Sequence, residues 1–211
     1  MSGTSWRARA GAPPNKGAKY PPEVLAPDEV AAIIGQCSPK APTGIRNRAM
    51  LMLLYRSGLR VSEVLALRAA DINLSEHTVR VLHGKGDKAT TRGFHPSATD
   101  TLARWMDTRR DLGVRHGPLF CTLAGGPVHP QYVRNLLHRL GARAGVDKRV
   151  HPHGLRHTFA WELERAGTPV TTISALLGHS GTATTARYLA HLTNRQAVTA
   201  LAAADLPKVG L

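Results

Sequence analysis

Residues 151–191 read HPHGLRHTFAWELERAGTPVTTISALLGHSGTATTARYLAH, and the rest of the chain is organised around them. His153 and Arg156 are three apart and share a face if the segment is helical. Leu155, Phe159 and Leu163 recur at intervals of four and form a separate stripe, suited to a core. Thr168 and Pro169 predict an N-cap followed by proline at the first helical position. Val170, Ile173 and Leu177 supply the apolar face of that helix, and Gly178 is placed to end it. His179 then stands at the mouth of a turn, and Tyr188 follows nine residues later, on or just past another short helix. Short helices thus bring a guanidinium and two imidazoles towards a phenol. These groups together suit a phosphodiester.

Working upstream, residues 57–67 read SGLRVSEVLAL. Gly58 is placed to end a helix over about residues 43–57 that carries Ala49, Met50, Leu53 and Leu54. Val61, Val64, Leu65 and Leu67 begin the next helix, with Arg60 and Glu63 together at its entrance. Residues 71–91 change texture: Val79 and Val81 alternate with polar residues as a strand does, and Gly84-Lys85-Gly86-Asp87 reads as a tight hairpin turn. A small antiparallel sheet of about three strands follows. The glycines there are not a phosphate loop, since no G-x-x-x-x-G-K-[ST] precedes a helix.

These pieces together resemble the catalytic core of the tyrosine recombinases, the phage integrase and Xer-type site-specific recombinase family. The resemblance rests on H-x-x-R at 153–156, L-L-G-H-S at 176–180, Tyr188, the first-arginine segment at 57–67 and the lysine hairpin at 83–88. It covers residues 25–192 and implies a mostly α fold with a small antiparallel β-sheet (α+β).

The chemistry can be followed residue by residue. Tyr188 is the candidate nucleophile, and a phenol with a pKa of about 10 needs help to ionise. Arg60 and Arg156 can hold the two non-bridging phosphate oxygens with planar donors and stabilise the added charge of the transition state. His153 can accept the tyrosine proton or hydrogen-bond the phosphate, and His179 can donate to a non-bridging oxygen. Lys85, on its hairpin, is the candidate acid for the leaving 5′ oxygen. Glu63 reads as the group that orients Arg60 or a histidine. The resemblance adds what residue chemistry does not give: a 3′-phosphotyrosyl intermediate, a freed 5′ hydroxyl, and religation without ATP. No metal and no cofactor is expected.

The plainer alternatives are a surface Arg60 paired only with Glu63, a solvated turn lysine at 85 and a core tyrosine at 188. His157 reads as a packed or capping histidine. His153 and His157 have the i, i+4 spacing of zinc ligands, but Gly154 stands where a metalloprotease motif has glutamate, and no acidic third ligand is near.

Composition agrees with a polyanionic partner. Lys and Arg number 28 against 14 Asp and Glu, a net charge of +14. Cys37 and Cys121 are too few and too far apart for a disulfide framework or zinc site, which fits a reducing, cytoplasmic setting. The longest obvious apolar run, residues 49–55, is too short for a membrane span.

Residues 1–24 form a basic arm expected to be flexible, with Arg7, Arg9, Lys16 and Lys19 as candidate DNA-phosphate contacts; Lys88 joins them from the hairpin. Pro27-Asp28-Glu29 starts a helix with acids in its first turn, and Val30, Ile33 and Ile34 face inward. Ser97 is a plausible N-cap for a helix to about residue 112, with Leu102, Trp105 and Met106 inward and Arg104, Arg109 and Arg110 outward. Residues 118–122 read as a short extended piece. Another helix spans about residues 129–145, with Arg134, Arg139 and Arg143 exposed. The catalytic domain therefore spans residues 25–192, and residues 193–211 form a tail with a possible inter-subunit helix.

The expected function is site-specific cutting and rejoining of double-stranded DNA, as a recombinase or integrase assembled on DNA, with a tetrameric synapse. The alternatives are DNA relaxation of the type IB topoisomerase kind, and a non-catalytic DNA-binding regulator of recombinase descent; binding alone does not need Tyr188. Most members of the family carry a separate helical clamping domain before the catalytic one, and residues 1–24 cannot build it. The resemblance leaves either a short enzyme, like the fimbrial-switch invertases, or a piece of a longer one.

Overall fold

The structure is a computed structural model and describes residues 23–82 and 89–178. Seven α-helices and a three-stranded sheet occur among them: α1 (Pro27–Gly35), α2 (Pro42–Ser57), α3 (Val61–Ala66), β1 (Ile72–Asn73), β2 (Thr78–Val81), β3 (Thr90–Gly93), α4 (Thr99–Asp111), α5 (Pro130–Arg143), α6 (Pro152–Arg165) and α7 (Val170–Leu177). The mostly helical fold with a small antiparallel sheet is the one the sequence predicts.

Helix α2 is the centre of the molecule. Ile45, Ala49, Met50, Leu51, Leu53, Leu54 and Tyr55 are all buried, more than one face of a surface helix supplies. It packs against α1, α3, α4 and α6. The main core runs from Leu25 through α2, the sheet, Trp105, Phe120 and α5 to Leu155. Trp105 enters that core without an orphaned donor because its indole N–H donates to the carbonyl of Leu119 at 2.9 Å. A smaller cluster of Phe159, Ala160, Ile173 and Leu177 joins α6 to α7.

Two helix starts are fixed by an acid that reaches back from the first turn, the N3 half of a capping box. Glu29 Oε2 accepts from the N–H of Ala26 at 2.7 Å, and Glu63 Oε2 accepts from the N–H of Arg60 at 2.7 Å. The same Glu29 oxygen receives Lys148 Nζ at 2.7 Å, tying α1 to the loop before α6. At the other end of the described segment, Leu25 N–H donates to Thr158 Oγ1 at 3.1 Å, so the approach to α1 is fastened onto α6.

The sheet has order β1-β2-β3, antiparallel throughout, with Ile72 opposite Val79 and Val79 opposite Arg92. The β2–β3 ladder closes at Val81 and Thr90, on either side of the segment that carries Lys85 and Lys88. Those two lysines lie outside the described residues, as do the predicted Gly84–Asp87 turn, the arm with Arg7, Arg9, Lys16 and Lys19, and the tail at 193–211.

Three local expectations are corrected. Helix α4 starts at Thr99 with Ala98 as its N-cap; Ser97 lies in a preceding 3₁₀ turn, where its N–H donates to His95 Nδ1 at 3.2 Å. Pro169 is the N-cap of α7, so Thr168 is not, and the helix begins at Val170. Arg109 does not face solvent. It is 5% exposed and donates to the carbonyls of Val114 at 2.7 Å and His116 at 2.6 Å, closing the loop after α4. Arg134, Arg139 and Arg143 are exposed along α5, as expected.

Candidate active site

The site is built on the turn between α2 and α3. Gly58 ends α2 in the left-handed conformation, φ 61°. A Cβ there would lie 2.6 Å from the Phe159 ring and 2.9 Å from Leu177, so glycine is required both by backbone and by space. The tight stop turns the chain so that Arg60, two residues on, is the N-cap of α3.

Arg60 is presented and held. Its side chain is 48% exposed, while Glu63, beneath it, is 7% exposed. Glu63 Oε1 accepts from Arg60 Nη1 at 3.0 Å and its other oxygen takes the Arg60 backbone N–H. One buried carboxylate thus fixes both ends of the residue.

Helix α6 supplies His153, Arg156 and His157. His151, at its N-cap, accepts the N–H of Gly154 through Nδ1 at 3.1 Å. His153 and Arg156 lie on one face, as their spacing predicts. Arg156 is 3% exposed. Its Nη1 donates to the carbonyl of Gly58 and its Nη2 to the carbonyl of Leu177 at 2.7 Å. The guanidinium therefore sits between the Arg60 turn and the end of α7.

Burial, then the nearby guanidiniums of Arg156 and Arg60, lower the pKa of His153 below the ordinary 6.5. The direction favours the neutral imidazole, the form able to accept a proton. His157 is driven lower, to about 3, by burial and then by His153, His151 and Arg156. Its ring meets that of His153 edge to face, with centroids 4.2 Å apart. His157 is a packed neighbour of His153, as the sequence predicts. Among the described residues no group of three His, Cys, Asp or Glu side chains is placed to hold a metal ion.

Helix α7 ends at Leu177, with Gly178 in the left-handed conformation, φ 62°. His179 and Tyr188 follow in sequence and lie outside the described residues, like Lys85. The structure thus brings together Arg60, Glu63, His153 and Arg156.

Sequence reasoning passed over Arg92. It lies on β3, is 9% exposed, and its Nη2 is 3.9 Å from Glu63 Oε1. The available signal was the strand period: counting back two from the apolar Phe94 puts Arg92 on the inward face.

Residues 23–195 match the Phage integrase family. The chain is 40% identical over 177 residues to a tyrosine recombinase XerD of Ralstonia nicotianae, covering 81% of this chain and 58% of that protein. It is 34% identical over 183 residues to a tyrosine recombinase XerC of Actinobacillus succinogenes, covering 85% and 61%. The chain thus spans about three-fifths of the length of these relatives. Among solved structures, the XerA recombinase superposes with a TM-score of 0.74 at 28% identity, covering 91% of this chain and 68% of that one. XerH, bound to a palindromic difH substrate in a post-cleavage complex, gives 0.71 at 26% identity, covering 86% and 53%.

Proposed function

Because the chain belongs to the phage integrase family, with tyrosine recombinases among its relatives, we propose that it cuts and rejoins double-stranded DNA at specific sites through a tyrosyl phosphodiester. The observation that carries this proposal is the meeting of an exposed, carboxylate-held Arg60 with the imidazole of His153 and the guanidinium of Arg156. Two cations and a neutral base are what metal-free phosphoryl transfer to a phenol needs from the protein.

In the proposed reaction the Tyr188 oxygen attacks the scissile phosphorus and its proton passes to His153. The bond between phosphorus and the 5′ oxygen breaks, and Lys85 protonates that leaving oxygen. Arg60, Arg156 and His179 carry the charge on the non-bridging oxygens. Reversal with a second strand's 5′ hydroxyl rejoins the DNA and frees the tyrosine. The catalytic domain is taken as residues 25–192, preceded by a DNA-contacting arm in which Arg7, Arg9, Lys16 and Lys19 meet phosphates; Lys88 does so from the hairpin. Function in the cytoplasm and a tetrameric synapse on DNA belong to the same proposal. Among the described residues no helix is long and apolar enough to cross a membrane.

The test is a nicked duplex that traps the covalent intermediate, run on a denaturing gel in EDTA. The wild-type chain is expected to form a protein–DNA adduct despite chelation. Tyr188→Phe, which keeps the ring, is expected to bind DNA and form none. An adduct that persists in the variant, or one that needs a divalent metal, overturns the assignment.

A further inference from the structure

Two structural parts meet at this site, the turn at residues 58–63 and the carboxyl-terminal end of α7. Arg156 links them through backbone carbonyls on both sides. Arg92 makes a second link, from the sheet. Its Nη1 donates to the carbonyl of Leu176 at 3.4 Å, in the last turn of α7, while Nη2 faces Glu63 Oε1. That oxygen is also the one that accepts from Arg60 Nη1. A Cβ on Gly178 would fall 1.9 Å from Arg92 Nη2, so the guanidinium fills the space under the left-handed turn that leads to His179.

The charges make this arrangement purposeful. A buried arginine on a strand is costly unless its donors are satisfied. Here they meet a carboxylate and the carbonyl end of a helix, where the macrodipole favours a cation. Arg60 and Arg92 share the Glu63 carboxylate, and Arg156 stands beside them on backbone carbonyls, which leaves the site with an excess of positive charge for an anion. Only a planar fork reaches both Glu63 and Leu176 with separate nitrogens; a single ammonium does not.

We propose that Arg92 is a positioning residue of the strand-cleavage site, holding the Glu63 carboxylate against Arg60 while clamping the end of α7 that leads into His179. Its role in cleavage rests on the function proposed above. Without Arg92, Glu63 is free to turn from Arg60, and the Arg60 fork loses its fixed aim at the phosphate.

The experiment uses the full chain with Arg92→Met, which keeps the stem and loses the fork, and Arg92→Lys, which keeps the charge. Single-turnover cleavage of the nicked duplex at saturating protein is compared with DNA affinity and with melting temperature. Expected is a fall in cleavage rate on the order of 10–100-fold with DNA affinity nearly unchanged, and a smaller fall for Arg92→Lys. In a Glu63→Gln background, Arg92→Met is expected to add little, because Arg92 acts through Glu63. Side-chain NMR of the Arg60 Nε–H, assigned with Arg60→Lys, reads the protein alone; its signal is expected to shift or broaden in Arg92→Met. Wild-type cleavage by Arg92→Met, a full multiplicative loss on top of Glu63→Gln, or an unmoved Arg60 signal each overturns the proposal. Absence of any adduct from the wild-type chain instead overturns the proposed function, and the NMR comparison still decides Arg92.

Discussion

His157, packed edge to face against His153, shows how a neighbour of the site sets its response to pH. Its folded-state pKa, about 3, lies below the ordinary 6.5. Between those values the unfolded chain binds the proton that the folded chain refuses. Stability is therefore fully present above pH 6.5 and is lost as pH falls towards 3. His151 and His153 are lowered too and act in the same direction. A shift of this size for a side chain 8% exposed corresponds to a few kcal/mol, on the order of 1.4 kcal/mol for each pH unit crossed. His157→Gln, which does not titrate, is expected to flatten the decline in urea midpoint between pH 7.5 and 5. Equal pH slopes in variant and wild type would count against the assignment. At the same scale, Arg60 and Arg156 differ sharply. One is presented to solvent over Glu63; the other is sealed between two carbonyls. Their spacing in sequence gave no hint of that difference, because burial depends on what α7 brings over α6.

At the scale of elements, the sequence discloses what is local. H-x-x-R placed His153 and Arg156 on one helix, and Gly58 and Gly178 marked two helix ends, both left-handed in the structure. Polar residues that face inward were legible only in part: the period counted back from Phe94 reaches Arg92, but no such signal marks Arg109. Arg92 stands in T-T-R-G, where no apolar neighbour within the strand marks its face, and Arg109 sits among charged residues on an outwardly polar helix. Once inside, both have donors taken by carbonyls of a loop or a helix end, and those partners are what periodicity does not name. The turn at Gly58 makes the coupling between packing and site testable. Gly58→Ala must place a side chain at positive φ, costing about 1 kcal/mol, and must push aside Phe159 and Leu177 as well. A total loss of about 2–4 kcal/mol is expected, with weakened cleavage because Arg60 and the Gly58 carbonyl move together. Phe159→Leu is expected to destabilise the wild type but to recover part of the loss in Gly58→Ala, by opening room on the α6 side. Chemical denaturation of the four proteins checks this; simple additivity would mean the clash with Phe159 is not the cause.

For the whole molecule, two readings must fit together: a net charge of +14 that favours DNA, and the proposed recombinase function, which calls for several copies on one DNA assembly. The segment proposed to join copies is residues 194–205 of the tail, which lie outside the described residues. Val198 and Leu201 are three apart with Ala202 beside them, so in a helix they share one face. Burying so small a face stabilises an assembly by only about 2–4 kcal/mol. That is too little to hold an oligomer together in dilute solution, but enough to add to copies already concentrated on neighbouring DNA sites. The free chain is therefore expected to sediment as a monomer, with larger complexes only on DNA carrying paired sites. Deleting residues 194–211 is expected to impair synapsis and recombination by tenfold or so while leaving single-site binding within about twofold, a difference of roughly 1 kcal/mol against a few tenths. Sedimentation of the free protein and gel shifts on single and paired sites separate these effects. A stable tetramer without DNA, or full-rate recombination by the truncated chain, would remove the tail from the assembly.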